Sequence, residues 1–256
     1  MIDSHCHLAD TAFDDDLPAV LARAREVGVE RIVTIADNLP EAEKCIGLAR
    51  EFPQLFATVG VHPHNAKEWK RGDADRLRTM VASSQKVRAI GEIGLDYHYD
   101  LSPRDVQRDV FREQLSLAKE MPLPAVIHCR EAIADVKAII GDVGAEKFVL
   151  HCCTEAWNDV SALVERGAFL SFTGMVTYPK ADVIRSTVEQ CPIEKLMIET
   201  DAPYLAPVPY RGKRNEPAFV AEVLRKVAEI KRMDIVEVDR ITTENALRFF
   251  GIALVG

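Results

Sequence analysis

Short apolar runs alternate with amphipathic stretches along the whole chain. Eight of the runs read as strands: Ile2–His5, Arg31–Ala36, Leu55–Val61, Val87–Ile93, Ala125–His128, Phe148–Cys152, Phe169–Phe172 and Leu196–Glu199. Most are continuously apolar, the pattern of parallel strands covered on both faces. Between them the period changes. Leu17, Val20, Leu21, Ala24 and Val27 share one helical face. Further helical segments fall near Glu41–Glu51, Asp73–Ser83, Glu131–Ile140, Ala156–Arg166 and Lys180–Gln190. Ser102 and Pro103 read as the N-cap and first position of a helix running to about Glu120. Pro217–Lys231 follows the last strand, and Asp239–Phe250 forms a terminal helix stopped by Gly251.

Eight β-then-α units, with no Pro/Gly/Ser-rich linker, predict an α/β fold: a single-domain (β/α)8 TIM barrel over residues 1–256. The competing architecture is an open doubly wound sheet. It would carry a Gly-rich phosphate loop after the first strand, and no G-x-G-x-x-G occurs anywhere.

Composition narrows the chemistry. The chain has 256 residues, 48% of them hydrophobic, and a formal net charge of −8. This excludes a general basic coat for nucleic acid, so a polyanionic substrate needs a local patch or bound metal. The N-terminus has no basic segment leading into an apolar run, and no apolar stretch is long enough to span a bilayer. The six cysteines form no C-x-x-C pair and no regular framework. A cytoplasmic protein with reduced thiols, no membrane contact and no obligate protein partner is expected.

The residues that end the strands carry the functional signal. Barrel enzymes build their sites at that rim. Strand one ends in His5-Cys6-His7 and strand three in His62-Pro63-His64. Strand four ends in Gly91-Glu92-Ile93-Gly94-Leu95-Asp96, and strand five in His128-Cys129-Arg130. Strand six ends in His151-Cys152-Cys153, and strand eight in Glu199-Thr200-Asp201. Six of the seven histidines therefore lie at strand ends, which core packing does not explain. His5 and His7, two apart on a strand, project from one face. Four His with Glu92 and Asp201 suffice for two divalent ions with positions left for water and substrate. Such a pair can hold a hydroxide nucleophile, with Asp201 taking its proton. Mixed His/carboxylate sites accept Mg, Mn, Zn or Ni. A serine nucleophile is disfavoured because no G-x-S-x-G is present. Cys129 and Cys152 each follow a candidate ligand, so on a strand they point away from it.

These segments resemble the TatD-type metal-dependent deoxyribonucleases, a family of amidohydrolase-like barrels. The resemblance rests on Asp3-Ser4-His5-Cys6-His7-Leu8, Val59-Gly60-Val61-His62-Pro63-His64, Gly91-Glu92-Ile93-Gly94-Leu95-Asp96-Tyr97 and Ile127-His128-Cys129-Arg130. It extends through Glu199-Thr200-Asp201-Ala202-Pro203-Tyr204-Leu205-Ala206-Pro207, Arg211-Gly212-Lys213-Arg214-Asn215-Glu216-Pro217 and Thr243-Glu244-Asn245-Ala246. It implies that His5, His7, Glu92 and Asp201 hold one metal. Glu92, His128 and His151 would hold a second, with Glu92 bridging. The implied activity is phosphodiester hydrolysis in DNA, often as a 3′→5′ exonuclease on single strands or ends. One loop departs from the family pattern His-Cys-Phe-Ser-Gly: here it reads His151-Cys152-Cys153-Thr154-Glu155, with a carboxylate where glycine is usual. That departure, with the acidic charge, leaves open an amidohydrolase acting on another ester or amide, in a small molecule or an aminoacyl-tRNA.

For substrate contacts the sequence offers His62 as phosphate ligand or proton donor, with His64 beside it. Arg130 is on the face of His128, and Arg214 belongs to the compact basic stretch Arg211-Gly212-Lys213-Arg214, near Tyr204 and Tyr210. Trp69 and Trp157 read as loop packing. Asp14-Asp15-Asp16 reads as helix N-terminal charge.

Overall fold

In the computed structural model, which describes residues 1–253, all eight apolar runs are strands. They are β1 (Ile2–Cys6), β2 (Arg31–Thr34), β3 (Leu55–Val59), β4 (Val87–Asp96), β5 (Ala125–Arg130), β6 (Phe148–Leu150), β7 (Phe169–Phe172) and β8 (Leu196–Ile198). Each pairs in parallel with the next in chain order. The crossover helices are α1 (Leu17–Glu26), α2 (Leu39–Glu51), α3 (Asp73–Ser83), α4 (Arg104–Glu120), α5 (Ile133–Val143), α6 (Trp157–Glu165) and α7 (Asp182–Gln190). After β8 come α8 (Val220–Lys231) and α9 (Ile235–Phe250). This is the expected (β/α)8 barrel. Residues 254–256, the end of the expected domain, lie outside the described residues. No helix among the described residues is long and apolar enough to cross a membrane.

The strands divide their side chains between two cores. Alternate residues, among them Val33, Phe56, Val126, Val149, Phe169 and Met197, point inward and cluster with Leu247, Phe249 and Phe250 of α9. Helix α9 therefore plugs the end of the barrel where the strands begin. Phe249 packs edge-on against Phe169, with ring centroids 5.4 Å apart. Burying each such ring stabilises the fold by roughly 1.5–3 kcal/mol. The intervening residues face outward and pack against the helices. With one end plugged, the inward positions at the other end are the ones left for chemistry.

Between β1 and β8 the barrel is closed by a different device. Asp201 N–H donates to the His5 carbonyl (2.9 Å), and His7 N–H to the Ala202 carbonyl (2.7 Å). The Thr200 amide and hydroxyl donate to the two oxygens of buried Asp3, at 2.9 and 2.6 Å. A buried carboxyl group, its pKa pushed up to about 8 by burial, thus serves as part of the seam.

Several boundaries differ from the sequence expectation. Pro103, not Ser102, is the N-cap of α4. The Ser102 hydroxyl instead donates to the His64 carbonyl (2.9 Å) and accepts from Lys67 N–H (3.0 Å), tying down the turn after β3. Helix α2 starts at Leu39 because Asn38 caps it, accepting from Glu41 N–H. Helix α9 starts at Ile235, where the Asp234 carboxylate accepts from the amides of Val236 and Glu237. Asp16 precedes α1 without capping it by its side chain.

Candidate metal centre

In β3, β5 and β6 strict alternation delivers a histidine to the open end. Phe56, Val126 and Val149 point inward, and the same parity brings His62, His128 and His151 to the rim. In β1 and β4 alternation alone would fail. Ile2 lies in the inner cluster, yet Cys6, four residues on, lies in the outer one. Ile90 and Ile93, three apart, both face outward. The ladder register shifts between Asp3 and Cys6 and between Ile90 and Ile93. A bulge in each strand turns His5, His7 and Glu92 toward the centre. Gly94, just past the second bulge, has φ +142°, and a Cβ there would lie 2.0 Å from the His128 carbonyl oxygen. Asp201 sits past the end of β8 at φ +59°, a left-handed conformation held by the bond from its amide to His5.

Six expected side chains converge here. His5 Nε2 lies 3.2 Å from His7 Nε2, 3.2 Å from Glu92 Oε2 and 3.4 Å from Asp201 Oδ1. His7 Nε2 lies 3.3 Å from Asp201 Oδ1 and 3.7 Å from Glu92 Oε2. Four donors around an ion at about 2.0–2.1 Å are separated by roughly 3.3–3.4 Å along the tetrahedral edges. The other Glu92 oxygen faces a second group. Oε1 lies 2.7 Å from His128 Nδ1, 2.7 Å from His151 Nε2 and 3.3 Å from His62 Nε2. His128 Nδ1 and His151 Nε2 are 3.3 Å apart. Facing imidazole nitrogens at this spacing share either an N–H···N hydrogen bond or a cation, and the buried donor set fits divalent metal. Glu92 divides its oxygens between the two groups, as a bridging carboxylate must.

Three ring nitrogens on the far side face carboxylates. His128 Nε2 lies 3.1 Å from Asp96 Oδ2, His151 Nδ1 lies 3.5 Å from Glu199 Oε1, and His7 Nδ1 lies 3.5 Å from Asp37 Oδ1. The Asp96 bond fixes the orientation of the His128 ring, while at His7 and His151 the 3.5 Å contacts are electrostatic and no hydrogen bond is made to Nδ1. His5 Nδ1 has no hydrogen-bond partner among the described residues, and its ring stacks on His151 with centroids 3.9 Å apart. Sequence reasoning quoted Asp96 and Glu199 without giving them a role, and passed over Asp37. Their signal was position, since each falls at or just past a strand end.

The fields are strong. Burial tends to raise the Glu92 carboxyl, but His151, His62 and His128 outweigh it and hold it well below the carboxylate range. Burial is likewise outweighed at Asp201, kept low by His7 and His5. At Asp96 burial is overcome by His128 and His64. Burial pulls His7 down, yet Asp37, Asp201 and Glu92 lift it to about 10. His128 and His151 are raised by Asp96, Glu92 and Glu199 against the same penalty. In His62 burial prevails and lowers the imidazole despite Glu92.

The expected substrate residues separate. His62 is buried at the centre, its Nδ1 accepting from His64 N–H (3.1 Å), so its proton is on Nε2. His64 Nε2 is tied to Asp96 Oδ2 at 2.9 Å. Arg130 is exposed, its guanidinium 4.7 Å from the Tyr99 ring centroid. Arg214 is held in a fork by Asp16, at 2.8 and 2.7 Å, rather than left for substrate. Tyr210 stacks on Phe219, with centroids 3.9 Å apart. Trp69 and Trp157 pack against the core. Cys152 differs from expectation: β6 ends at Leu150, and Cys152 adopts φ +45° with its amide donating to Glu199 Oε1 (2.6 Å). Glu155 turns toward Cys129, whose thiol lies 3.7 Å from Oε1.

Residues 2–251 match the model of the family described as TatD related DNase. A protein described as uncharacterized metal-dependent hydrolase YabD, from Bacillus subtilis, is 41% identical over 254 residues, covering 98% of this chain and 99% of that one. The 3′-5′ ssDNA/RNA exonuclease TatD of Cronobacter sakazakii is 36% identical, covering 98% and 97%. The crystal structure of YJJV, a TatD homolog from Escherichia coli K12, superposes with a TM-score of 0.94 at 28% identity, covering 99% and 98%.

Proposed function

The chain belongs to the TatD related DNase family and is a metal-dependent hydrolase, and from that premise we propose that it removes nucleotides from the 3′ end of single-stranded nucleic acid. The observation that carries the proposal is the division of Glu92, with Oε2 facing His5 and His7 and Oε1 facing His128 and His151. In this reading His5, His7, Glu92 and Asp201 hold one divalent ion, and Glu92, His128 and His151 hold a second; Mg, Mn, Zn and Ni all suit the donors. Such ions supply Lewis acidity toward the phosphoryl oxygens and make water a better nucleophile. Asp201, kept ionised by His7 and His5, takes the proton of the attacking water. His62, neutral with its proton on Nε2, donates toward the departing oxygen. Arg130, exposed beside His128, pairs with phosphate oxygens, and His64, anchored by Asp96, lines the approach. Single strands and 3′ polarity follow the relatives named as 3′-5′ ssDNA/RNA exonucleases.

Hydrolysis of a different ester or amide was motivated by the acidic charge and by Glu155 in place of glycine. The Glu155 carboxylate lies against Cys129, which speaks against the second motive and leaves the first to the test. The test uses protein stripped of metal and reloaded with Mg²⁺ or Mn²⁺, offered single-stranded DNA labelled at the 5′ end, beside Asp201→Asn. Metal-dependent shortening from the 3′ end, absent in the variant, is expected. Intact DNA with metal demonstrably bound would reject the proposal.

A further inference from the structure

The loop after β7 and the loop after β8 are stitched into one wall. Gly174 lies so close to the second loop that a Cβ would be 2.3 Å from the Leu205 carbonyl oxygen and 2.7 Å from Pro207 N. The Tyr178 hydroxyl donates to the Ala206 carbonyl (3.0 Å), and Val208 N–H donates to the Thr177 hydroxyl (2.9 Å). Against this wall opens a cavity of about 390 Å³, lined by Met175, Tyr178, Pro179, Lys180, Ile184 and Arg211, with Ala181 beneath. One lining residue leads toward the ligand cluster: Met175 Sδ lies 4.0 Å from the thiol of Cys152, the residue after His151.

The lining is apolar and aromatic, with cations at the mouth. Arg211 lies over Tyr178, 4.4 Å from the ring centroid. Among the described residues neither Arg211 nor Lys180 forms an ion pair, while the neighbouring Asp182 is paired with Arg185. Two uncompensated cations in a chain of net charge −8 mark a place for an anion. Arg214, by contrast, is neutralised by Asp16, so that end of the basic stretch carries no unpaired cation.

We infer that this cavity is the nucleobase subsite of the enzyme: one base next to the scissile bond enters between Met175, Tyr178 and Ile184, while Arg211 and Lys180 hold its backbone phosphate. The inference rests on the nucleic-acid reading above. The subsite is sequence-tolerant, because every base offers a face to stack and the lining presents few groups to read its edges.

The experiment compares wild type, Lys180→Ala/Arg211→Ala and, as a charge control, Arg71→Ala, an exposed cation elsewhere on the surface. The substrates are 5′-labelled oligothymidylate, the same strand with an abasic residue at either nucleotide flanking the scissile bond, and methyl p-nitrophenyl phosphate. The double variant is expected to raise KM for oligothymidylate roughly tenfold with kcat within twofold. Arg71→Ala should leave KM within twofold. In wild type one abasic position should cost a similar factor, and in the double variant it should add little. Hydrolysis of methyl p-nitrophenyl phosphate should be unchanged. An unchanged KM in the double variant, or equal losses on both substrates, overturns the subsite while leaving the nuclease reading intact. Failure of wild type to shorten oligothymidylate, with or without turnover of the small diester, overturns both.

Discussion

Asp96 makes four contacts from a fully buried carboxylate. One oxygen meets His64 and His128, and the other accepts the amides of His98 and Tyr99. It therefore couples a ligand imidazole to the loop that follows β4. Holding His128 by Nε2 turns Nδ1 toward Glu92 and His151, where the proposed ion would sit. Asp96→Asn keeps the shape and removes the charge. Metal affinity, measured by calorimetric titration of the stripped protein, should fall about 10–100-fold. An unchanged affinity would reduce Asp96 to a loop anchor. At this scale the sequence was readable where chemistry alone marks a residue, as for six histidines, Glu92 and Asp201. It was unreadable where role depends on which neighbour arrives. Nothing local distinguishes Arg214 from Arg211, and only the fold brings Asp16 to one and Tyr178 to the other.

The strand elements were legible because buried parallel strands are simple apolar runs. The bulges were only half legible. Gly91 and Gly94 flank Glu92, and glycine inside a strand pattern is a bulge signal. In β1 no such mark exists, since Ser4 and Cys6 suit either face. The second bulge yields a prediction. Gly94→Ala would place a methyl group against the His128 carbonyl at a φ that side chains rarely adopt. A loss of about 2–4 kcal/mol in stability is expected, read by urea unfolding. Metal binding should weaken in parallel as β5 shifts. Stability within about 0.5 kcal/mol of wild type would mean that the strands tolerate a different register.

For the whole molecule, the plugged end and the open end do different work. Stability comes from the α9 plug and the outer helices, while the open end gathers several buried carboxylates, Glu92, Asp201 and Glu199, whose mutual repulsion is offset only by the imidazoles or by bound cations. Metal bound only by the folded barrel stabilises it by mass action, about 2.7 kcal/mol at 100 times Kd. Chelation should therefore lower Tm by roughly 5–10 °C in calorimetry, and readdition of Mn²⁺ should restore it. A Tm indifferent to chelator would mean that the centre binds metal weakly or in unfolded chains as well.

The seam between β1 and β8 has a consequence for how the enzyme is made. Thr200 and Asp3 are 197 positions apart, and at ribosomal speeds that interval lasts roughly 10–40 s. Throughout it the growing chain displays His5 and His7 without the carboxylate of Asp201 that faces them in the folded barrel. The centre is thus completed late: a chain interrupted before that point has His5, His7, Glu92, His128 and His151 but neither Asp201 nor the seam that closes the barrel. The six side chains meet only when the last strand joins the first.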